Sequence, residues 1–135
     1  MSSNALVGLD VGEKRIGVAV ADASVRIAVP FTTVEVDGKE IQTITEIVLK
    51  EGADTIVVGY PRNQQGEATS QTDFVEKFVE KLELIDARIV FQDESLTSVL
   101  AEQRLKSYNK PYAKSDIDAQ AATIILQDYL EQQRG

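Results

Sequence analysis

The 135 residues contain no cysteine and no histidine. The first absence excludes disulfides, thiolate nucleophiles and thiolate zinc sites, and is compatible with a reducing compartment. The second removes Ser-His-Asp and Cys-His catalysis and imidazole ligation, so any hydrolytic chemistry would rest on carboxylates, hydroxyls, lysine, arginine or a bound metal. Oxygen donors suit hard cations, which makes Mg²⁺ or Mn²⁺ the expected ion. Long apolar runs are missing too. No stretch reaches the length of a membrane span, and Met-Ser-Ser-Asn lacks the basic and apolar regions of a signal peptide, so a soluble, cytoplasmic protein with no membrane partner is expected. Positive charge is scarce, with 14 Lys and Arg against 22 Asp and Glu and a net charge of −8. That balance argues against nucleic-acid binding over the whole surface, because phosphate contacts need a basic footprint; a local patch beside an acidic, metal-holding cleft stays open.

With 43% hydrophobic residues and no shift in composition, a single globular domain over residues 1–135 is expected. The stretch Val7 to Asp22 organises it. Ala5 to Leu9 is a short apolar run bounded by a Gly-containing turn and reads as a buried strand, with Ile16 to Ala21 as its antiparallel partner. Asp10 then sits at the mouth of a hairpin. Gly8 and Gly12 flank it, and with no Cβ they admit a second backbone or a ligand. Asp10 is either a turn residue or a site residue on this reading.

Further along, Ile27 to Val36 is β-branched and predicts a third strand with Pro30 near its start. Ile41, Ile44, Ile47 and Val48 recur at helical spacing, and Gly52 stands where that helix would stop. Thr55 to Val58 predicts a short strand joined by a parallel crossover. The polar loop Gly59 to Ser70 follows it at the end of the sheet where α/β folds place ligands, and it carries Arg62 and Asn63. Phe74, Val75, Phe78, Val79, Leu82 and Ile85 predict a second amphipathic helix. Ala87 to Gln92 predicts a strand running into Asp93-Glu94, and Thr97 to Lys106 a helix with Thr97 as N-cap. The two acids either favour that helix N-terminus or belong to a site. From Arg104 to Lys114 the sign of charge reverses: Lys106, Lys110 and Lys114 are interleaved with Tyr108 and Tyr112, a pattern that suits phosphates and unpaired bases as well as a solvated loop.

In the last helix, Ser115 and Asp118 have the spacing of a capping box. Asp118 also shares a helical face with Ala121, Ala122, Ile125 and Tyr129, while Asp116, Gln120 and Gln127 fall on the opposite one. A carboxylate on the apolar stripe needs a cation, a hydrogen-bond network or a proton. The two alanines let the helix approach the sheet, bringing Asp118 toward the strand ends that carry Asp10 and Asp93-Glu94.

Four stretches together resemble the YqgF/RuvX family of RNase H-like nucleases, described as Holliday junction resolvases and as nucleases that process the 5′ end of precursor 16S ribosomal RNA. These are Gly8-Leu9-Asp10-Val11-Gly12 with Lys14-Arg15-Ile16-Gly17, Val57-Val58-Gly59-Tyr60-Pro61-Arg62-Asn63 with Gly66, Asp93-Glu94-Ser95-Leu96-Thr97-Ser98, and Asp118-Ala119-Gln120-Ala121-Ala122. The chain departs from the family at Ser95, where arginine is usual, and at Tyr60, where leucine is common. The resemblance implies an α/β fold, an RNase H-like mixed five-stranded sheet with helices on both faces. It also implies phosphodiester hydrolysis with one or two Mg²⁺ or Mn²⁺ ions held by Asp10, Glu94 and Asp118, with Asp93 as a supporting or alternative acid and no covalent enzyme intermediate. Lys14, Arg15, Arg62, Asn63, Lys106, Lys110 and Lys114 become substrate-side residues. Precursor rRNA or branched DNA and the ribosomal subunit become the expected partners of a monomer or homodimer. Two other functions compete: an ATP-binding phosphotransfer domain, which shares the Gly-x-Asp-x-Gly hairpin but closes a cleft between two such domains, and a noncatalytic ribosome-assembly factor with the same fold.

Overall fold

The computed structural model describes residues 4–61, 69–94 and 97–132. Five strands and four helices follow in order along these residues: β1 (Ala5–Val11), β2 (Arg15–Asp22), β3 (Ile27–Glu35), α1 (Glu40–Glu51), β4 (Thr55–Pro61), α2 (Ser70–Leu82), β5 (Arg88–Glu94), α3 (Thr97–Ser107) and α4 (Lys114–Gln132). The sheet order is β3-β2-β1-β4-β5. The first three strands pair antiparallel, and β4 and β5 join β1 in parallel, as the resemblance implied.

Side chains alternate across the strands and build two cores. On one face, Val7, Leu9, Ile16, Val18, Ile56 and Val58 meet Ile44 and Val48 of α1 and Val75, Phe78, Val79 and Leu82 of α2. On the other, Leu6, Ala19 and Val57 meet Ala122, Ile125, Leu126 and Tyr129 of α4. Each fully buried Leu, Ile or Val contributes about 1.5–3 kcal/mol, so the alternation holds the register firmly: a slip of one residue would exchange the faces. Helix α3 packs outside α4, with Ala101, Ala121 and Ile124 at the contact.

Local chemistry sets the ends. Gly52 terminates α1 in the left-handed conformation at φ 66°, its N–H returning to Leu49 and Val48, as its position in the sequence predicted. Helix α2 begins four residues before Phe74, because Thr69 and Thr72 form a reciprocal capping box. Thr97, expected as an N-cap, is the first residue of α3. Pro30 is the fourth residue of β3, near its start as expected, at an irregularity where the register shifts between Val18 and Ala19. It is tolerated because β3 is an edge strand. That edge is covered in part by Gln127, which accepts from the Ala28 N–H at 2.9 Å and donates to the Arg26 carbonyl at 3.2 Å.

The last helix corrects three expectations. Its capping acid is Asp116, not Asp118: the Asp116 carboxylate accepts from the Ala113 N–H at 2.8 Å, while the Ser115 carbonyl accepts from Thr33 Oγ1 at 2.6 Å. The helix starts two residues earlier than a Ser115 N-cap would give, which moves the reach-back position from Asp118 to Asp116. Gln120 is only 7% exposed although it was placed on the outer face. The reason is α3, which covers that face and leaves Gln120 Oε1 buried without a hydrogen-bond partner. Gln127, placed on the same outer face, turns instead to the sheet edge.

Candidate metal and nucleic-acid site

Strand parity decides which acids can meet. Leu6, Gly8 and Asp10 alternate with Val7, Leu9 and Val11, so Asp10 points to the α4 side. On β5, Ile89 packs with the α1–α2 core and Val90 with the α4 core, which sends Glu94 to the α4 side and Asp93 to the opposite one. Both Asp10 and Glu94 stand at the C-terminal ends of parallel strands, where an α/β sheet leaves its crevice.

Glycines bring the helix close enough to complete the arrangement. A Cβ on Gly8 would lie 2.8 Å from Leu126 Cβ and 3.2 Å from the Ala122 carbonyl oxygen, and one on Gly17 would lie 1.8 Å from the Asp118 carbonyl oxygen. Gly17 is also the cross-strand partner of Asp10, so the first turns of α4 rest on the strand beside it. On β4, a Cβ on Gly59 would lie 3.0 Å from the Glu94 carboxyl carbon, so the missing side chain makes room for that acid. Gly8 therefore admits a backbone rather than a ligand. Gly12 closes the hairpin, its N–H donating to the Arg15 carbonyl at 3.0 Å. The roles of Gly17 and Gly59 were not read from the sequence; the available signal was a glycine inside an otherwise apolar strand.

Asp10 feels the other two acids. Burial, then the charges of Glu94 and Asp118, push the Asp10 carboxyl up to about 8. Such a group holds its proton near neutrality unless a cation compensates. Asp118 has a partner of its own: Arg15 Nε donates to its Oδ2 at 2.6 Å, with the two side chains 30% and 23% exposed. The guanidinium is held above its ordinary range, first by that hydrogen bond and then by the Asp118 charge. Among the described residues, no three acids are gathered closely enough to hold a metal ion with their side chains as they stand. The donor set still fits a hard divalent cation, because it offers only carboxylate oxygens and its mutual repulsion is what such an ion relieves.

The expected substrate-side residues divide. Lys14 is exposed at the hairpin tip and Arg15 is committed to Asp118. Lys106, Lys110 and Lys114 are exposed where α3 passes into α4, at the end of α4 that carries Asp118. Tyr112 is not free for stacking, since its hydroxyl donates to Glu102 at 2.9 Å, whereas Tyr108 is 51% exposed. Arg62 and Asn63 lie outside the described residues, as does Ser95. Tyr60 packs edge-on against Phe91, with ring centroids 4.8 Å apart, and donates to Glu76, which accounts for an aromatic at that position. A cavity of about 340 Å³ lined by Leu6, Arg26, Thr55, Arg88 and Tyr129 sits at the opposite, N-terminal ends of the parallel strands and takes no part in this arrangement.

Solved structures that share this fold include resolvases. "T. thermophilus RuvC in complex with Holliday junction substrate" is 12% identical with a TM-score of 0.61, covering 97% of this chain and 96% of that one. "Crystal structure of Fowlpox virus resolvase and substrate Holliday junction DNA complex" is 10% identical with a TM-score of 0.58, covering 97% and 99%. At these identities the likeness establishes the RNase H-like fold. Residues 4–132 match the family described as "RuvX: Holliday junction resolvase", and the chain belongs to that family. Relatives carrying the name "Putative pre-16S rRNA nuclease" are 42% identical in Chloroflexus aurantiacus, over 99% of this chain and 91% of the relative. In Caldanaerobacter subterraneus a relative of the same name is also 42% identical, over 96% and 97%.

Proposed function

We propose that this chain is a divalent-metal-dependent nuclease of cytoplasmic ribosome biogenesis that cleaves precursor 16S rRNA. The carrying observation is the electrostatic coupling of Asp10 to Glu94 and Asp118 on one face at the strand ends. Relatives at 42% identity named for pre-16S rRNA support RNA as substrate, and the family description keeps branched DNA as the alternative. Asp10, Glu94 and Asp118 would hold Mg²⁺ or Mn²⁺, which supplies activation of water and stabilisation of the leaving oxygen. Asp93 points away from this group and stays outside it. The chain's own residues bind and orient the phosphodiester: Lys14 at the hairpin tip and Lys106, Lys110 and Lys114 at the rim give a local positive border to an acidic protein, with Arg62 and Asn63 assigned by motif. Nucleic acid, and through it the ribosomal subunit, is the partner.

One observation favours a second reading. Arg15 occupies Asp118, as it would in an RNA-binding assembly factor that keeps the fold without catalysis. A cleavage assay with Mn²⁺ or Mg²⁺ on precursor 16S RNA, single-stranded RNA and four-way DNA junctions separates the readings. Metal-dependent cleavage of the precursor, lost in Asp10→Asn, is expected. A protein that cleaves none of the three, yet co-sediments with ribosomal subunits, would overturn the nuclease.

A further inference from the structure

We propose that Arg15 is an internal counter-cation that occupies Asp118 until a divalent ion displaces it, so that loading the metal and freeing a phosphate-binding arginine are one event. The inference rests on the metal-site reading above. Its basis is an ion pair of 2.6 Å between the first hairpin and the first turns of α4, made through guanidinium Nε and carboxylate Oδ2. A divalent ion shared by Asp10, Glu94 and Asp118 needs that carboxylate's charge and open lone pairs. A guanidinium cannot give up its proton to make way, so it must move.

The structure gives it somewhere to go. Arg15 opens β2 directly opposite Glu35 of β3, and the Glu35 charge already acts on it. The Arg15 side chain is 30% exposed, so the swing from Asp118 toward Glu35 and solvent crosses no packed core. In the displaced position the guanidinium stays on the rim of the acidic group with its planar fork of donors free, a geometry suited to two oxygens of a phosphodiester.

Two other roles make opposite predictions. If Arg15 orients Asp118 while the metal is bound, its removal loosens the ligand and weakens metal affinity, as loss of an outer-shell partner does. If the pair only fastens helix to hairpin, its removal lowers stability and leaves affinity unchanged. Displacement alone predicts that removing Arg15 tightens the metal.

The test is calorimetric titration of Mn²⁺, without nucleic acid, into the full chain and into Arg15→Gln, Arg15→Lys and Asp118→Asn, each checked for a cooperative melt. Wild-type binding that disappears in Asp118→Asn, with Arg15→Gln binding roughly two- to fivefold more tightly, is the expected result, the scale of a partly exposed ion pair. Arg15→Lys, which keeps the competing charge, should stay within about twofold of wild type on the same scale. Equal or weaker affinity in Arg15→Gln overturns the displacement. Absence of any Asp118-dependent Mn²⁺ binding in the wild type overturns the metal-site reading beneath it.

Discussion

The position a Cβ would take on Gly17 lies 1.8 Å from the carbonyl oxygen of Asp118, so the strand that faces Asp10 and the helix that brings Asp118 touch backbone to backbone. Gly17→Ala forces that oxygen away, and because the obstacle is main chain no side-chain rotation relieves it. The cost expected is at least 2–3 kcal/mol, about the upper range for overpacking a filled core, read as a fall in urea midpoint with an unchanged slope. A loss below about 0.5 kcal/mol, the scale of an ordinary surface substitution, would mean that α4 does not rest on β2 at this point.

Asp10 makes a second, pH-dependent prediction. Its carboxyl is raised from 3.8 to about 8, first by burial and then by Glu94 and Asp118. Between these values the folded chain binds more protons than the unfolded one, so metal-free stability is fully present below the lower value and falls as pH rises through the interval. Asp10→Asn removes this ionisation. The variant should melt well above wild type at pH 9 and converge toward it near pH 4, the gap being several kcal/mol in magnitude. Saturating Mn²⁺ should shrink the gap by rescuing wild type only. Parallel melting curves across pH, without metal, would contradict the coupling.

Much of this fold is visible in the residues because local rules and packing agree. The alternating apolar strands, the stop at Gly52 and the Ile44/Val48 stripe need no tertiary information. What escaped depends on contacts distant in sequence. Arg15 and Asp118 are separated by 103 positions, and nothing near either residue announces the other. Gln120 looked exposed because helical periodicity knows one buried face, while α4 is covered by the sheet on one side and α3 on the other. Glycine in a strand signals a close approach but not its partner, so Gly17 and Gly59 passed as motif residues. The capping assignment went to Asp118 because a Ser-x-x-Asp spacing matched, although the helix begins at Lys114 and gives the reach-back to Asp116.

That difference separates the two acids experimentally. Asp116 is exposed and its carboxylate satisfies the Ala113 N–H; Asp116→Ala should cost about 1 kcal/mol, as losses of helix caps do, and leave cleavage per folded molecule intact. Asp118→Asn breaks the charge-assisted bond from Arg15 while lifting one of the charges that repel Asp10. Its melting temperature without metal should therefore move little, whereas Mn²⁺-dependent cleavage should collapse. A fully active Asp118→Asn beside an active wild type would remove this residue from the metal site.

The basic rim gives the last prediction, which turns on where three lysines sit. Lys106 lies in the last turn of α3, Lys110 lies in the connection and Lys114 opens α4, so all three are anchored to the end of α4 that carries Asp118. The protein as a whole is acidic, with a net charge of −8, so diffuse attraction cannot supply affinity for nucleic acid. Binding must come from local phosphate contacts, each releasing counterions. If these lysines make them, replacing all three by alanine lowers affinity and reduces the slope of log K against log salt by about 0.7 for each single-strand phosphate no longer neutralised. Folding should be unaffected, because the side chains are exposed and surface substitutions usually stay within about 0.5 kcal/mol. Lys39, Lys50 and Lys81 lie on or beside α1 and α2, across the sheet from the acids, and their triple replacement makes the same change in net charge. Equal slopes in the two triple variants would show that net charge, not this rim, governs binding. A shallower slope only for Lys106, Lys110 and Lys114 ties the substrate to the side of the sheet where Asp10, Glu94 and Asp118 stand.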